Sequence, residues 1–139
     1  MTSIPAAGSI LIADITGDSV VRIPADASVL EAAEALVANG VGVVVIGDEQ
    51  RPTALISERD VARAVAAGRD FASTPAVEIA STTLLWCAAD TTVEQAALRM
   101  TDKYIRHLLV EDAGKLVSIV SARDLLGVYA SEAVRADFA

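Results

Sequence analysis

Two segments of this chain repeat one pattern at a fixed distance. Ile56–Asp60 reads ISERD, and 64 residues further on Val120–Asp124 reads VSARD. Sliding the chain by that offset puts Ile15 on Ile79, Asp26 on Asp90, Val29 on Val93 and Asp48 on Asp112. Ala32-Ala33 falls on Ala96-Ala97, and apolar runs match as well: Val43-Val44-Val45-Ile46 lies over His107-Leu108-Leu109-Val110. No gap is needed. A chain of 139 residues built this way is two copies of one unit, and it must fold as a doubled object.

Each copy carries the same element signals. Val20–Ile23 and Leu84–Cys87 read as short apolar strands. Ser28-x-x-Glu31 and Thr92-x-x-Gln95 are capping boxes, each opening a helix. One helix face is apolar in both: Val29, Ala32, Ala33 and Leu36 in the first, Val93, Ala96, Ala97 and Met100 in the second. Paired alanines let a helix lie close to a sheet. Asn39-Gly40 marks a helix stop. The strands Val43–Ile46 and Thr53–Ile56 follow, and their counterparts Leu108–Val110 and Leu116–Val120 flank Glu111–Gly114, so each pair reads as an antiparallel hairpin. Helices Glu58–Ala67 and Ala122–Ala130 close the copies, and Gly68–Pro75 reads as the linker.

The order is β-α-β-β-α twice, an α+β fold with copies at residues 10–68 and 75–131. One copy alone leaves a sheet face poorly covered. Two copies can shelter each other as one pseudo-two-fold module.

Bulk properties exclude several classes of function. The net charge is −8, so nucleic-acid phosphates and anionic lipid are repelled. Mean hydropathy is +0.48, but no uncharged stretch exceeds 13 residues, and a spanning helix needs about 20. No Lys or Arg precedes Arg22, so the charged start of a secretory signal is missing. The single cysteine, Cys87, has no internal partner and reads as a small buried hydrophobe on a strand. We expect a cytoplasmic protein with neither membrane nor nucleic-acid partner. Plenty of carboxylates are present. However, no nucleophile–base pair, metal-ligand cluster or glycine-rich phosphate loop stands out, which argues against an enzyme.

The tandem β-α-β-β-α copies, each ending in apolar-Ser-x-x-Asp, resemble a cystathionine-beta-synthase (CBS) domain pair, or Bateman module. The resemblance spans about residues 10 to 131. Ser57–Arg63 and Arg106–Val110 resemble stand-alone bacterial members. It implies clefts between the copies that bind adenosine nucleotides (AMP, ADP or ATP, with NAD or S-adenosylmethionine as further options). It also implies a homodimer and a regulatory role exerted on a separate protein. The chain departs from the family where glycine is common, holding Ala54 and Ser118, and where proline is common, holding Leu109. Glycine admits a ligand close to the backbone, so the first departure bears on affinity.

Within this resemblance, Ser57, Asp60, Ser121 and Asp124 are the candidate ligand groups. Ser-x-x-Asp at a helix start is accounted for by capping alone. An ionised Asp can equally accept from both hydroxyls of a ribose 2′,3′-diol, with Ser meeting a sugar or phosphate oxygen. The copies differ beside this motif. Gly42-Val43 in the first corresponds to Arg106-His107 in the second, where Lys103 adds a further positive charge. Arg106 and His107 are candidate phosphate contacts; the bland alternative is a solvated strand edge. Trp86 and Tyr104 could stack on a base, although packing suits each better. A competing reading is a ligand-free dimerisation or protein-interaction module that uses an apolar face on the outer helices, with Val61, Val65, Leu125, Leu126 and Val128.

Overall fold

The computed structural model describes residues 8–15 and 19–138, with 132–138 as helix backbone. The described residues form two compact units. One is Ser19–Leu84, and the other runs from Leu85 onward and includes the N-terminal residues 8–15.

The first unit holds β1 (Arg22–Ile23), α1 (Val29–Asn39), β2 (Val43–Ile46), β3 (Leu55–Ser57), α2 (Glu58–Ala66) and the short α3 (Ala76–Ile79). The second holds a 3-10 turn at Ile12–Asp14, then β4 (Trp86–Ala88), α4 (Val93–Lys103), β5 (His107–Asp112), β6 (Lys115–Ser121) and α5 (Ala122–Phe138). Each unit has a three-stranded sheet in the order β1-β2-β3 or β4-β5-β6. The middle strand pairs parallel with the first and antiparallel with the third. Parallel pairing needs a crossover, and α1 and α4 supply it. The middle strand β2 is buried along its whole length, which suits its unbroken Val-Val-Val-Ile sequence.

The helices begin where the sequence predicts. Ser28 Oγ accepts from Glu31 N at 3.1 Å, while Ser28 N donates to Glu31 Oε1 at 3.2 Å. Thr92 and Gln95 make the same pair of bonds at 3.1 and 3.0 Å. Core packing follows the offset: Ala32 and Ala96, Leu36 and Met100, and Ile56 and Val120 hold matching places in the two apolar clusters. Burying a side chain of the larger kind contributes roughly 1.5–3 kcal/mol. Cys87 is 4% exposed within the second cluster, on β4.

Some boundaries differ from the sequence expectation, for physical reasons. β1 covers only Arg22–Ile23 of the expected Val20–Ile23, although Val21 O still accepts from Val45 N at 2.8 Å. β4 lies two residues later at its start and one later at its end. β3 starts at Leu55 rather than Thr53, although Ala54 O still accepts from Ile46 N at 3.1 Å. The β5–β6 hairpin is longer than expected. Ala113 and Gly114 both take positive φ (53° and 78°), a two-residue turn whose twist matches the strands and lets pairing reach Asp112–Lys115. α5 continues to Phe138 rather than stopping at Ala130, and α3 was not foreseen. Leu125, placed by sequence on an outer apolar face, is 3% exposed and belongs to the second core. Val61 and Val128 also pack against the cores, so only Val65 and Leu126 of that set stand largely in solvent.

The units are not contiguous copies. The segment in front of copy two packs in the first unit: Val29 N donates to Thr74 O (2.9 Å), Ala76 N to Ala27 O (2.8 Å), and Ala76 is wholly buried there. The segment in front of copy one packs in the second unit: Val93 N donates to Ile10 O (2.8 Å), and Ile12 is 2% exposed. Each copy therefore gives its leading segment to the other unit.

Two positions carry stability predictions. The end of α1 falls on Gly40 at φ 62°, and the end of α4 on Tyr104 at φ 55°. Left-handed backbone strains a side-chain-bearing residue by about 1–2 kcal/mol. Tyr104 is 88% exposed, so little packing offsets that strain. Tyr104→Gly is expected to raise stability by about 1 kcal/mol in urea denaturation, while Tyr104→Ala leaves it nearly unchanged. For Cys87, burial pushes the thiol above its ordinary range, and Glu111 adds to this; Arg99 and a hydrogen bond with Thr91 oppose it. The folded state then holds the proton more tightly than the unfolded chain. Stability from this source is full below the unfolded thiol pKa, about 8.5, and declines as pH rises through the higher folded value. Cys87→Ala should flatten the alkaline limb of stability against pH.

Candidate functional site

Strand passes into helix without a loop at both Ser-x-x-Asp motifs. Ser57 is the last residue of β3 and the N-cap of α2, and Ser121 stands likewise between β6 and α5. Both motifs form reciprocal caps. Ser57 N donates to Asp60 Oδ2 at 2.9 Å, and Asp60 N donates to Ser57 Oγ at 3.2 Å. Ser121 N donates to Asp124 Oδ2 at 2.8 Å, and Asp124 N donates to Ser121 Oγ at 3.1 Å. Capping is thus realised in both copies. It leaves one carboxylate oxygen of each Asp outside the cap.

The surroundings of the two carboxylates diverge. Asp60 is 5% exposed. The Ser57 hydroxyl donates to its Oδ2 (3.0 Å), and Ser81 Oγ lies 3.1 Å from Oδ2 and 3.3 Å from Oδ1. The Arg63 guanidinium is 3.8 Å from Oδ1. Asp124 is half-buried, and among the described residues only the Ser121 backbone N–H donates to its carboxylate.

The sheets decide what stands beside each motif. His107 is the cross-strand partner of Ser121, and Ala122 N donates to Arg106 O at 2.8 Å. Arg106, His107, Ser121 and Asp124 therefore meet at one end of the second sheet. Arg106 is exposed and His107 half-buried, with the exposed Lys103 closely preceding them in the chain. In the first unit, Val43 pairs with Ser57, and Glu58 N donates to Gly42 O at 3.0 Å. Gly42 and Val43 carry no charge at those two places. Of the six sequence candidates, four gather in the second unit and Ser57 with Asp60 in the first.

Ser81 was not read as a site residue. It lies 21 residues from Asp60 and arrives in the leading segment of the other copy, so no local spacing points to it. The departure at Ala54 proves to be packing: its methyl joins Ile56 against the first core, and Ser118 shares the strand face of Val120. Tyr104, at 88% exposure, does not pack in the core of its own unit. Among the described residues no group of three or more His, Cys, Asp or Glu is placed to hold a metal. No helix among them is long and apolar enough to cross a membrane.

Comparison with known proteins adds the family context. The family model for the CBS domain matches residues 12–67 and 76–131. The CBS domain-containing protein YhcV of Bacillus subtilis is 30% identical over 81% of this chain and 80% of its own length. An uncharacterized protein of Methanopyrus kandleri is 37% identical over 65% of this chain; the match spans 47% of that relative, about half its length. Among solved structures, the CBS domain protein PAE2072 from Pyrobaculum aerophilum, complexed with AMP, is 32% identical, with a TM-score of 0.75 over 88% of this chain and 99% of that one.

The unequal surroundings of the two carboxylates predict unequal costs of removal. Both variants lose the carboxylate that accepts from the capping Ser N–H, but Asp60→Ala also strands the Ser57 and Ser81 hydroxyls, so about 2–3 kcal/mol of stability should go. Asp124→Ala should cost about 1 kcal/mol, the value of a cap. Urea denaturation of the two variants measures the difference.

Proposed function

The chain belongs to the CBS domain family, and from that premise we propose that it is a non-enzymatic regulatory module that binds an adenosine nucleotide and acts on a separate protein. The observation that carries this reading is the cluster at the end of the second sheet. Asp124 has a carboxylate oxygen outside its cap for a ribose 2′,3′-diol, Ser121 stands beside it, and Arg106 brings positive charge for phosphate, with His107 as a further contact. The N-terminus of α5 adds its own preference for an anion there. Ser57 and Asp60 hold the matching positions of the first copy, where Ser81 already meets the carboxylate. The AMP complex of PAE2072, at 32% identity, supports AMP as the first ligand to test. ADP, ATP, NAD and S-adenosylmethionine share its adenosine and form the rest of the class.

The setting we propose is the cytoplasm, with a homodimer as the working unit and neither nucleic acid nor membrane as partner. The charge of −8 opposes both of the latter. A second reading, a ligand-free dimerisation module, draws on two observations. Asp60 is already saturated, and Val65 and Leu126 are 56% and 66% exposed on α2 and α5. Light scattering separates the readings, since a ligand-free dimer keeps its mass and melting temperature whatever nucleotide is added.

Calorimetric titration tests the main reading. AMP, ADP or ATP should bind, and Asp124→Ala should weaken binding roughly tenfold or more, because hydrogen bonds to a charged group contribute about 1.5–3 kcal/mol. Arg106→Ala should weaken it in the same direction. Absence of heat with all five compounds at millimolar concentration would refute nucleotide sensing, and unchanged affinity in Asp124→Ala would remove that residue from the site.

A further inference from the structure

We infer that Ser81 holds the Asp60 carboxylate closed, so that the chain takes one adenosine nucleotide, at Asp124, rather than one at each Ser-x-x-Asp motif. The inference rests on the ligand reading above and adds stoichiometry to it. Four observations carry it, and each contrasts the two copies.

The first is saturation. Asp60 Oδ2 accepts from Ser57 N and the Ser57 hydroxyl, at 2.9 and 3.0 Å, and Ser81 Oγ reaches it at 3.1 Å. The same Ser81 hydroxyl is 3.3 Å from Oδ1, with Arg63 at 3.8 Å. A hydroxyl has one proton and donates to one oxygen at a time, but it sterically occupies the approach to both. The carboxylate is 5% exposed, so a ribose diol could reach it only by displacing Ser81.

The second is how Ser81 is fixed. Leu55 N donates to Ser81 O at 3.0 Å, and Ser81 N donates to Leu55 O at 2.8 Å. This two-bond bridge anchors the backbone of Ser81 to β3, just before the cap. Displacement of the hydroxyl therefore works against main-chain pairing as well as a side-chain bond.

The third is the carboxylate of the other copy. Asp124 accepts only from Ser121 N among the described residues and is half-buried rather than sealed. The fourth is charge. Arg106 and His107 stand beside Ser121, whereas Gly42 and Val43 stand at the same register beside Ser57. The first copy lacks an open carboxylate, and the cation beside it, Arg63, is engaged with that carboxylate at 3.8 Å.

Two measurements test the closure separately from the ligand reading. A double-mutant cycle on melting temperature, with Ser81→Ala, Asp60→Ala and the pair, should show each single variant lowered by a few degrees and the pair lowered by much less than their sum. Additive drops would overturn the closure, with or without any ligand. AMP titration of the whole chain should then give one nucleotide per chain, unchanged affinity in Asp60→Asn, and at least tenfold weaker binding in Asp124→Asn. Two nucleotides per wild-type chain, or equal losses in both Asn variants, would also overturn it. If no AMP binds to any variant while the cycle shows coupling, the closure stands and the ligand reading falls.

Discussion

At Ser57 and Ser121 one residue ends a strand and caps a helix, and the polar chemistry of both halves depends on that junction. An N-cap must leave its helix in extended backbone, which is the conformation a strand already has. The chain can therefore turn from sheet into helix with no intervening loop. The reciprocal bonds between Ser and the Asp three residues on hold the junction and fix the carboxylate against the neighbouring strand. That neighbour is then set by sheet register alone: Val43 in one half, His107 in the other. Local capping thus decides which side chains become neighbours of an acidic group.

Local signals made much of this legible in the sequence. Both capping boxes, the apolar helix faces and the unbroken Val43–Ile46 run lie within a few residues of the structure they specify, and all appear as elements. The ends of strands were less legible, because they depend on turn geometry and on main-chain pairing with distant residues. Ala113-Gly114 lengthened one hairpin, and the other stops short of Thr53. Leu125 was misplaced because an apolar residue in the first turn of a helix can face either way until the sheet beneath it is known. For the candidate site, the sequence named the carboxylates and the cations but not Ser81. Its contact with Asp60 crosses 21 residues and the boundary between copies, and no period or motif records it.

The two halves have diverged unevenly. Core positions keep matching residues because a close-packed interior tolerates little change in volume. Ala32 and Ala96 are both wholly buried under their sheets. At the polar ends no such packing limit applies, and a glycine–valine pair in one half stands where arginine–histidine stands in the other. The same backbone frame carries a buried acidic group on one side and a half-buried one on the other.

The traded leading segments have a consequence for how such a chain can be divided. A break introduced between the copies would leave each fragment with a flap shaped for its sibling, while its own interior lacked Ala76 or Ile12. Such fragments would be poor folders alone and good complements when mixed.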